Sequence, residues 1–167
     1  MKKLYLIGTL IVILFLSIYY GKKFFVAPKI NSYSIVLLNQ KGDSIPFSEY
    51  KGKVILLNFY ASWCGTCLRE FPSLNYIESK YKSDFFKCIL ITDDNWGKVN
   101  ENIFTFNLIP IVYKTTQTLE KIGIFAYPTT YLIDKKGVIK HSFVGEVDWN
   151  LSENQKLIED LLNQEYI

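Results

Sequence analysis

The stretch Lys53–Pro72, KVILLNFYASWCGTCLREFP, decides how the rest of the chain is read. Val54 to Tyr60 is a continuous apolar run broken only by Asn58, as expected of a strand buried on both faces. Ala61-Ser62 interrupts it. Trp63-Cys64-Gly65-Thr66-Cys67 follows, and the pattern then continues as a helix. Residues three apart on a helix hold their Cβ atoms roughly 5–6 Å apart. Disulfides accept Cα separations of about 4.4–6.8 Å, so Cys64 and Cys67 can bond and part with little movement. Cys64 falls at the helix N-terminus, where unpaired N–H groups and the helix dipole favour a thiolate. Cys67 lies one turn inside. This geometry predicts Cys64 as the attacking sulfur and Cys67 as the resolving one.

With its surroundings, the pair resembles the active site of the thioredoxin superfamily. It is most similar to the membrane-anchored TlpA/ResA-like thiol–disulfide oxidoreductases. Their usual line is a strand ending Asn-Phe-aromatic-Ala, then Trp-Cys-x-x-Cys, then x-x-Glu-x-Pro. Asn58, Phe59, Tyr60, Ala61, Trp63, Cys64, Cys67, Glu70 and Pro72 fall on it. The resemblance covers roughly residues 33–164. It implies an α/β thioredoxin-like fold: a central mixed sheet flanked by helices, with an N-terminal β-hairpin extension.

The chain has 167 residues, 49% hydrophobic and 16% aromatic, which supplies a core and excludes a disordered chain. A net charge of +3 with scattered lysines gives no footprint for nucleic acid. Three cysteines are too few for a disulfide scaffold. Leu4 to Tyr20 is an uncharged, mostly apolar run between Lys2-Lys3 and Lys22-Lys23. At about 1.5 Å per residue a helix of that length just spans a bilayer. Phe25-Val26-Ala27-Pro28 is a poor cleavage site. The expected organisation is therefore residues 1–23 as cytoplasmic N-terminus and uncleaved signal-anchor, 24–32 as linker, and 33–167 as the catalytic domain. Lysines on both sides leave orientation undecided by charge. The resemblance implies a single-pass cell-membrane protein with the domain on the extracytoplasmic, periplasmic side, where disulfides persist.

Along the domain, Tyr33–Leu38 reads as a strand, Asn39–Asp43 as a turn and Ser44–Phe47 as its return. Leu68, Phe71, Leu74, Ile77 and Tyr81 form an amphipathic stripe on the helix after Cys64, with Pro72 inside it. Phe85–Thr92 is a buried parallel strand, and its Cys88 reads as an inert small hydrophobe. Asp94 or Asn95 caps the next helix, and Ile109–Tyr113 is a strand. Ile124–Asp134, IFAYPTTYLID, holds the second landmark. The resemblance implies that Pro128 is cis and packs against the cysteine pair, with the Tyr127 backbone offering hydrogen bonds to an extended peptide. A hairpin over residues 131–144 and a final helix capped by Ser152 and Gln155 complete the order.

The expected site is catalytic Cys64 and Cys67; Trp63, Gly65, Thr66, Tyr127 and Pro128 around them; and Glu70 and Asn58 as proton-transfer support. Asn58 stands where thioredoxin has a buried acid, and an amide cannot take a proton. A solvated Glu70 is the competing expectation. No metal and no cofactor beyond the redox-active disulfide is expected. The expected partners are protein disulfides, a membrane thiol donor and the membrane itself. The expected activity is reduction of disulfides of exported proteins, with apocytochrome c among the substrates the resemblance implies. Two rivals use the same residues: a disulfide-forming oxidase, and a copper chaperone adding His141 to the cysteines.

Overall fold

The computed structural model describes residues 2–31 and 34–164, apart from the side chains of residues 3, 4 and 22–25. Seven strands form one mixed sheet in the order β2-β1-β5-β4-β3-β6-β7. They are β1 Leu37–Leu38, β2 Ser44–Ile45, β3 Val54–Phe59, β4 Phe86–Thr92, β5 Ile111–Thr115, β6 Thr129–Ile133 and β7 Ile139–Val144. The helices are α1 Lys2–Phe25, α2 Gly65–Lys80, α3 Trp96–Phe106, α4 Leu119–Ile122 and α5 Ser152–Leu162. β3, β4 and β5 run parallel, linked by helical crossovers, while β6 lies antiparallel to β3 and β7 to β6.

β3 is buried at all six positions, which is why its sequence is apolar without alternation. Its alternate residues serve opposite faces. Val54, Leu56 and Tyr60 join Cys67, Phe71, Leu74, Cys88, Trp149, Ile158 and Leu161, the core under α2 and α5. Ile55, Leu57 and Phe59 join Phe47, Tyr50, Tyr113, Leu119 and Tyr131 on the other face. The C-terminal end of β3 thus delivers the chain directly into Ala61–Cys64 and the start of α2.

Several boundaries differ from the sequence reading. The first strand is only Leu37–Leu38; Tyr33 lies outside the described residues. The hairpin itself stands, with Leu37 opposite Ile45, and β1 joins the sheet through Thr115 of β5. Asn95, not Asp94, caps α3 by accepting from the Lys98 N–H. Ser152 is not a cap. α5 begins one residue earlier in register, with Leu151 at the cap position and no side-chain cap bond. Gln155 donates instead to the carbonyls of Trp149 and Asn150. The expected stripe on α2 faces the core: Phe71, Leu74 and Ile77 are fully buried and Leu68 and Tyr81 pack at its edge, but the buried face is wider than the apolar residues alone. It consists of Cys67, Glu70, Phe71, Ser73, Leu74, Ile77 and Glu78.

Residues 27–31, expected within a linker, lie against the domain. Ala27 and Ile30 pack on the second core, and Tyr131 Oη donates to the Pro28 carbonyl at 2.8 Å. Gly123 ends α4 at φ 101°, the left-handed region that favours glycine, and Pro28 lies within ordinary contact of it. Among the described residues no helix is long and apolar enough to cross a membrane. The expected span begins at Leu4, whose side chain is outside the description.

Candidate active site

Cys64 is the N-cap residue of α2, in extended conformation, and its sulfur accepts from the Cys67 N–H at 3.3 Å. The helix thus begins on the sulfur itself. Cys64 and Cys67 are joined as a disulfide with Cα atoms 5.3 Å apart. Both are buried, Cys67 completely. Such a bond across a helix N-terminus can open and re-form by exchange, since the first-turn N–H groups stabilise the thiolate released at Cys64.

The surroundings gather most of the residues expected from the sequence. The Tyr127–Pro128 peptide bond is cis. Thr66 Oγ1 lies 3.1 Å from Cys64 Sγ and donates to the Tyr127 carbonyl at 3.4 Å, tying the cysteine loop to the proline loop. Trp63, next to Cys64 in the chain, is 73% exposed and meets the Tyr127 ring edge-to-face at 5.8 Å. Burial and the nearby carboxylates of Asp93, Glu120 and Asp94 push the Tyr127 phenol up to about 12. Gly65 is exposed, and a side chain there would meet only the tip of Arg69, so no close approach requires glycine.

Glu70 is not solvated. It is 1% exposed, one turn along α2 from Cys67 and on the same face. Trp149 Nε1 donates to Oε1 at 2.8 Å, and Asn58 Nδ2 donates to Oε2 at 3.0 Å. Burial raises the carboxyl to about 7 against the lowering effect of these donors. Asn58 spends its second amide hydrogen on Thr130 Oγ1 at 2.8 Å, and its Oδ1 is buried without a partner. The carboxyl is thus poised near neutrality one turn from the buried Cys67. Asn58, which cannot titrate, orients it.

Three contributors escaped the sequence reading. Trp149 lies in the loop after β7, and Thr130 in β6. Asp94 accepts from the Ser62 N–H at 2.6 Å and holds the loop just before Trp63. Asp94 alone had a signal, as an acid at the C-terminal end of a parallel strand. Cys88 is free and buried, its thiol pushed well up by burial and by Glu78 and Glu70. Its N–H donates to Glu78 Oε2 at 2.7 Å. Among the described residues no three His, Cys, Asp or Glu side chains are grouped as metal ligands, so His141 on β7 does not join the cysteines.

Comparison with known proteins agrees with this geometry. The family model described as Redoxin matches residues 25–161. The thiol-disulfide oxidoreductase ResA of Geobacillus kaustophilus is 34% identical over 131 residues, covering 76% of this chain and 75% of the relative. ResA of Bacillus thuringiensis subsp. konkukian is 28% identical over 116 residues, covering 68% and 67%. The crystal structure of a Chlorobium tepidum chain described as a DsbE thiol:disulfide interchange protein superposes with a TM-score of 0.70 at 27% identity, covering 81% of this chain and 99% of that one. A cysteine pair on a helix cap, facing a cis-proline in a chain with these relatives, belongs to the Redoxin family of the thioredoxin superfamily, among its ResA/TlpA-like thiol–disulfide oxidoreductases.

Proposed function

We propose that this oxidoreductase works as a reductase of protein disulfides outside the cytoplasm. The Cys64 thiolate attacks one sulfur of a substrate disulfide. A Cys64–substrate bond forms, the substrate's own S–S bond breaks, and the leaving thiolate takes a proton from solvent. Cys67 then gives its proton to the Glu70 carboxylate and attacks Cys64 Sγ. The Cys64–substrate bond breaks, and the second substrate sulfur leaves. The substrate has gained two electrons and the pair has become a disulfide.

The observation that carries the exchange cycle is the Cys64–Cys67 pair on the cap of α2 near the cis Tyr127–Pro128 bond, and Glu70, buried one turn from Cys67 and raised to about 7, supports its resolving step. A cysteine with no exposure cannot pass its proton to water, and the resolving step needs a local base. Trp63, Gly65, Thr66, Tyr127 and Pro128 form the substrate-facing surface, with the Tyr127 backbone pairing to an extended peptide. Residues 1–23 anchor the chain in the cell membrane with the N-terminus in the cytoplasm. Residues 24–32 join the anchor to a catalytic domain over 33–167 on the extracytoplasmic side. The exposed apolar side chains of α1, Leu10 to Leu16 among them, support the anchor. Because each cycle leaves the pair oxidised, a membrane thiol donor must return the electrons. Exported apocytochrome c is a fitting substrate class, its haem-binding cysteines being reactive only when reduced.

The test is the reduction potential of Cys64–Cys67 by equilibration with glutathione or dithiothreitol buffers. A value near or below about −250 mV supports a reductase. A value near about −120 mV reverses the direction to disulfide formation. Membrane fractionation and protease accessibility in whole cells test the anchor and the side. A chain recovered in the soluble fraction, or protected from external protease, would exclude that placement.

A further inference from the structure

We infer that the Thr66 hydroxyl is a redox-linked hydrogen-bond switch between the attacking sulfur and the backbone carbonyl that receives substrate. The inference rests on the Cys64/Cys67 cycle and adds a working residue to it. Thr66 Oγ1 stands 3.1 Å from Cys64 Sγ and 3.4 Å from the Tyr127 carbonyl oxygen. A hydroxyl has one hydrogen to give, so only one of these acceptors receives it at a time.

The oxidation state decides which. In the disulfide, Cys64 Sγ carries neither a proton nor a charge and is a weak acceptor, so the hydrogen goes to the carbonyl. After reduction a thiolate occupies the same place. Hydrogen bonds to an ionised acceptor are roughly twice as strong as neutral ones. The hydroxyl then turns about its own C–O bond, with no movement of backbone, and donates to sulfur. Cys64 already accepts from the Cys67 N–H at 3.3 Å, and Thr66 supplies its second donor.

Two consequences follow for the cycle. In the reduced protein, which must attack, the thiolate is stabilised and the carbonyl ahead of Pro128 is open to a peptide N–H. In the oxidised protein, which must release product, the hydroxyl returns to that carbonyl, takes one of its two lone pairs and weakens its hold on a peptide N–H. Substrate is therefore favoured in one redox state and product discharge in the other. The hydroxyl that does this lies between the two cysteines, at a position where a side chain lacking a donor would leave Cys64 Sγ with the Cys67 N–H alone and the Tyr127 carbonyl without this partner.

The experiment compares the full chain in detergent micelles as wild type, Thr66→Val and Thr66→Ser. Valine keeps the branched shape and removes the donor, while serine keeps the donor. Cys64 ionisation is followed by thiolate ultraviolet absorbance. Cys88 stays silent because burial holds its thiol well up. Thr66→Val is expected to raise the Cys64 proton affinity about tenfold, the worth of one hydrogen bond to a charged group. Measured above the thiolate pKa of both forms, its dithiol–disulfide equilibrium with glutathione moves about tenfold toward the disulfide, lowering the potential by about 30 mV. Thr66→Ser stays with wild type. A peptide bearing S-methylcysteine, which binds without reacting, is held about fivefold more tightly by oxidised Thr66→Val than by oxidised wild type, and equally by the reduced forms. Unchanged titration and equilibrium in Thr66→Val would overturn the inference. So would a Thr66→Ser shift as large as that of valine, which would make residue 66 a matter of shape. A wild type without a reversible couple would instead remove the cycle itself, and the switch with it.

Discussion

Glu70→Gln is expected to remove most of the dependence of stability on pH between 4.5 and 8. Glu70 is raised from 4.5 to about 7 in the folded chain by burial. Because the folded value lies above the unfolded one, the native state holds the proton more tightly. Its stabilising contribution is complete below about pH 4.5 and is lost as pH rises through about 7. A difference of roughly 2.5 pH units at about 1.36 kcal/mol per unit makes the ionised form about 3 kcal/mol less stable than the protonated one. The slope approaches about 1.4 kcal/mol per pH unit midway, one proton's worth. Glutamine cannot ionise, so the variant shows none of this slope. Its oxygen can keep the Trp149 Nε1 hydrogen. Its NH2 would face the NH2 of Asn58, and a flip of the Asn58 amide answers this by offering Oδ1, which is buried without a partner. The assay is denaturant unfolding of the oxidised chain at pH 4.5, 6, 7 and 8. The reasoning is refuted if wild type and Glu70→Gln lose stability in parallel over that range.

Other perturbations read the same site and its supports. Cys67→Ser should accumulate a mixed disulfide between Cys64 and substrate, seen as a thiol-sensitive band on non-reducing gels, and Cys64→Ser should give none; equal trapping by both would reverse the assigned roles. Trp149→Phe removes the donor to Glu70 Oε1, costs about 2–4 kcal/mol with the space it leaves, and raises the Glu70 carboxyl further, all measurable in the same unfolding series. Tyr131→Phe loses the bond to the Pro28 carbonyl, about 1 kcal/mol, and should speed proteolytic cutting within residues 26–31 while leaving the potential alone. Cys88 should resist alkylation in the native chain and react at the rate of global unfolding; fast labelling of the folded protein would contradict its burial.

What could be read from the chain and what could not divide along a physical line. Trp63 to Cys67 is legible because strand, break, cap and helix follow one another, and the chemistry lies within one turn. Pro128, 61 residues from Cys67, is legible only through the family resemblance, since an X-Pro bond before a strand does not by itself say cis or trans. The hairpin of β1 and β2 is legible as a turn between short runs, but its length is not. Two residues suffice there because β5 supplies the other side of the ladder.

The harder failure is the polarity of the core. The apolar stripe Leu68, Phe71, Leu74, Ile77 and Tyr81 marks the inward side of α2, but spacing of hydrophobic residues says nothing of the polar residues buried beside them. The buried face shares Phe71, Leu74 and Ile77 with that stripe and adds Cys67, Glu70, Ser73 and Glu78. Spacing alone does not say which polar residues beside the stripe are buried with it. The choice falls to partners that the helix does not contain. Glu78 is held by the Cys88 N–H and by Lys87 at 3.5 Å, and Glu70 by Asn58 and by Trp149, 79 residues on. A buried carboxylate is tolerable only when such donors converge on it. The burial of Glu70, one turn from Cys67, therefore leans on a tryptophan in a loop with no motif around it, and only the closed fold brings Glu70 and Trp149 together.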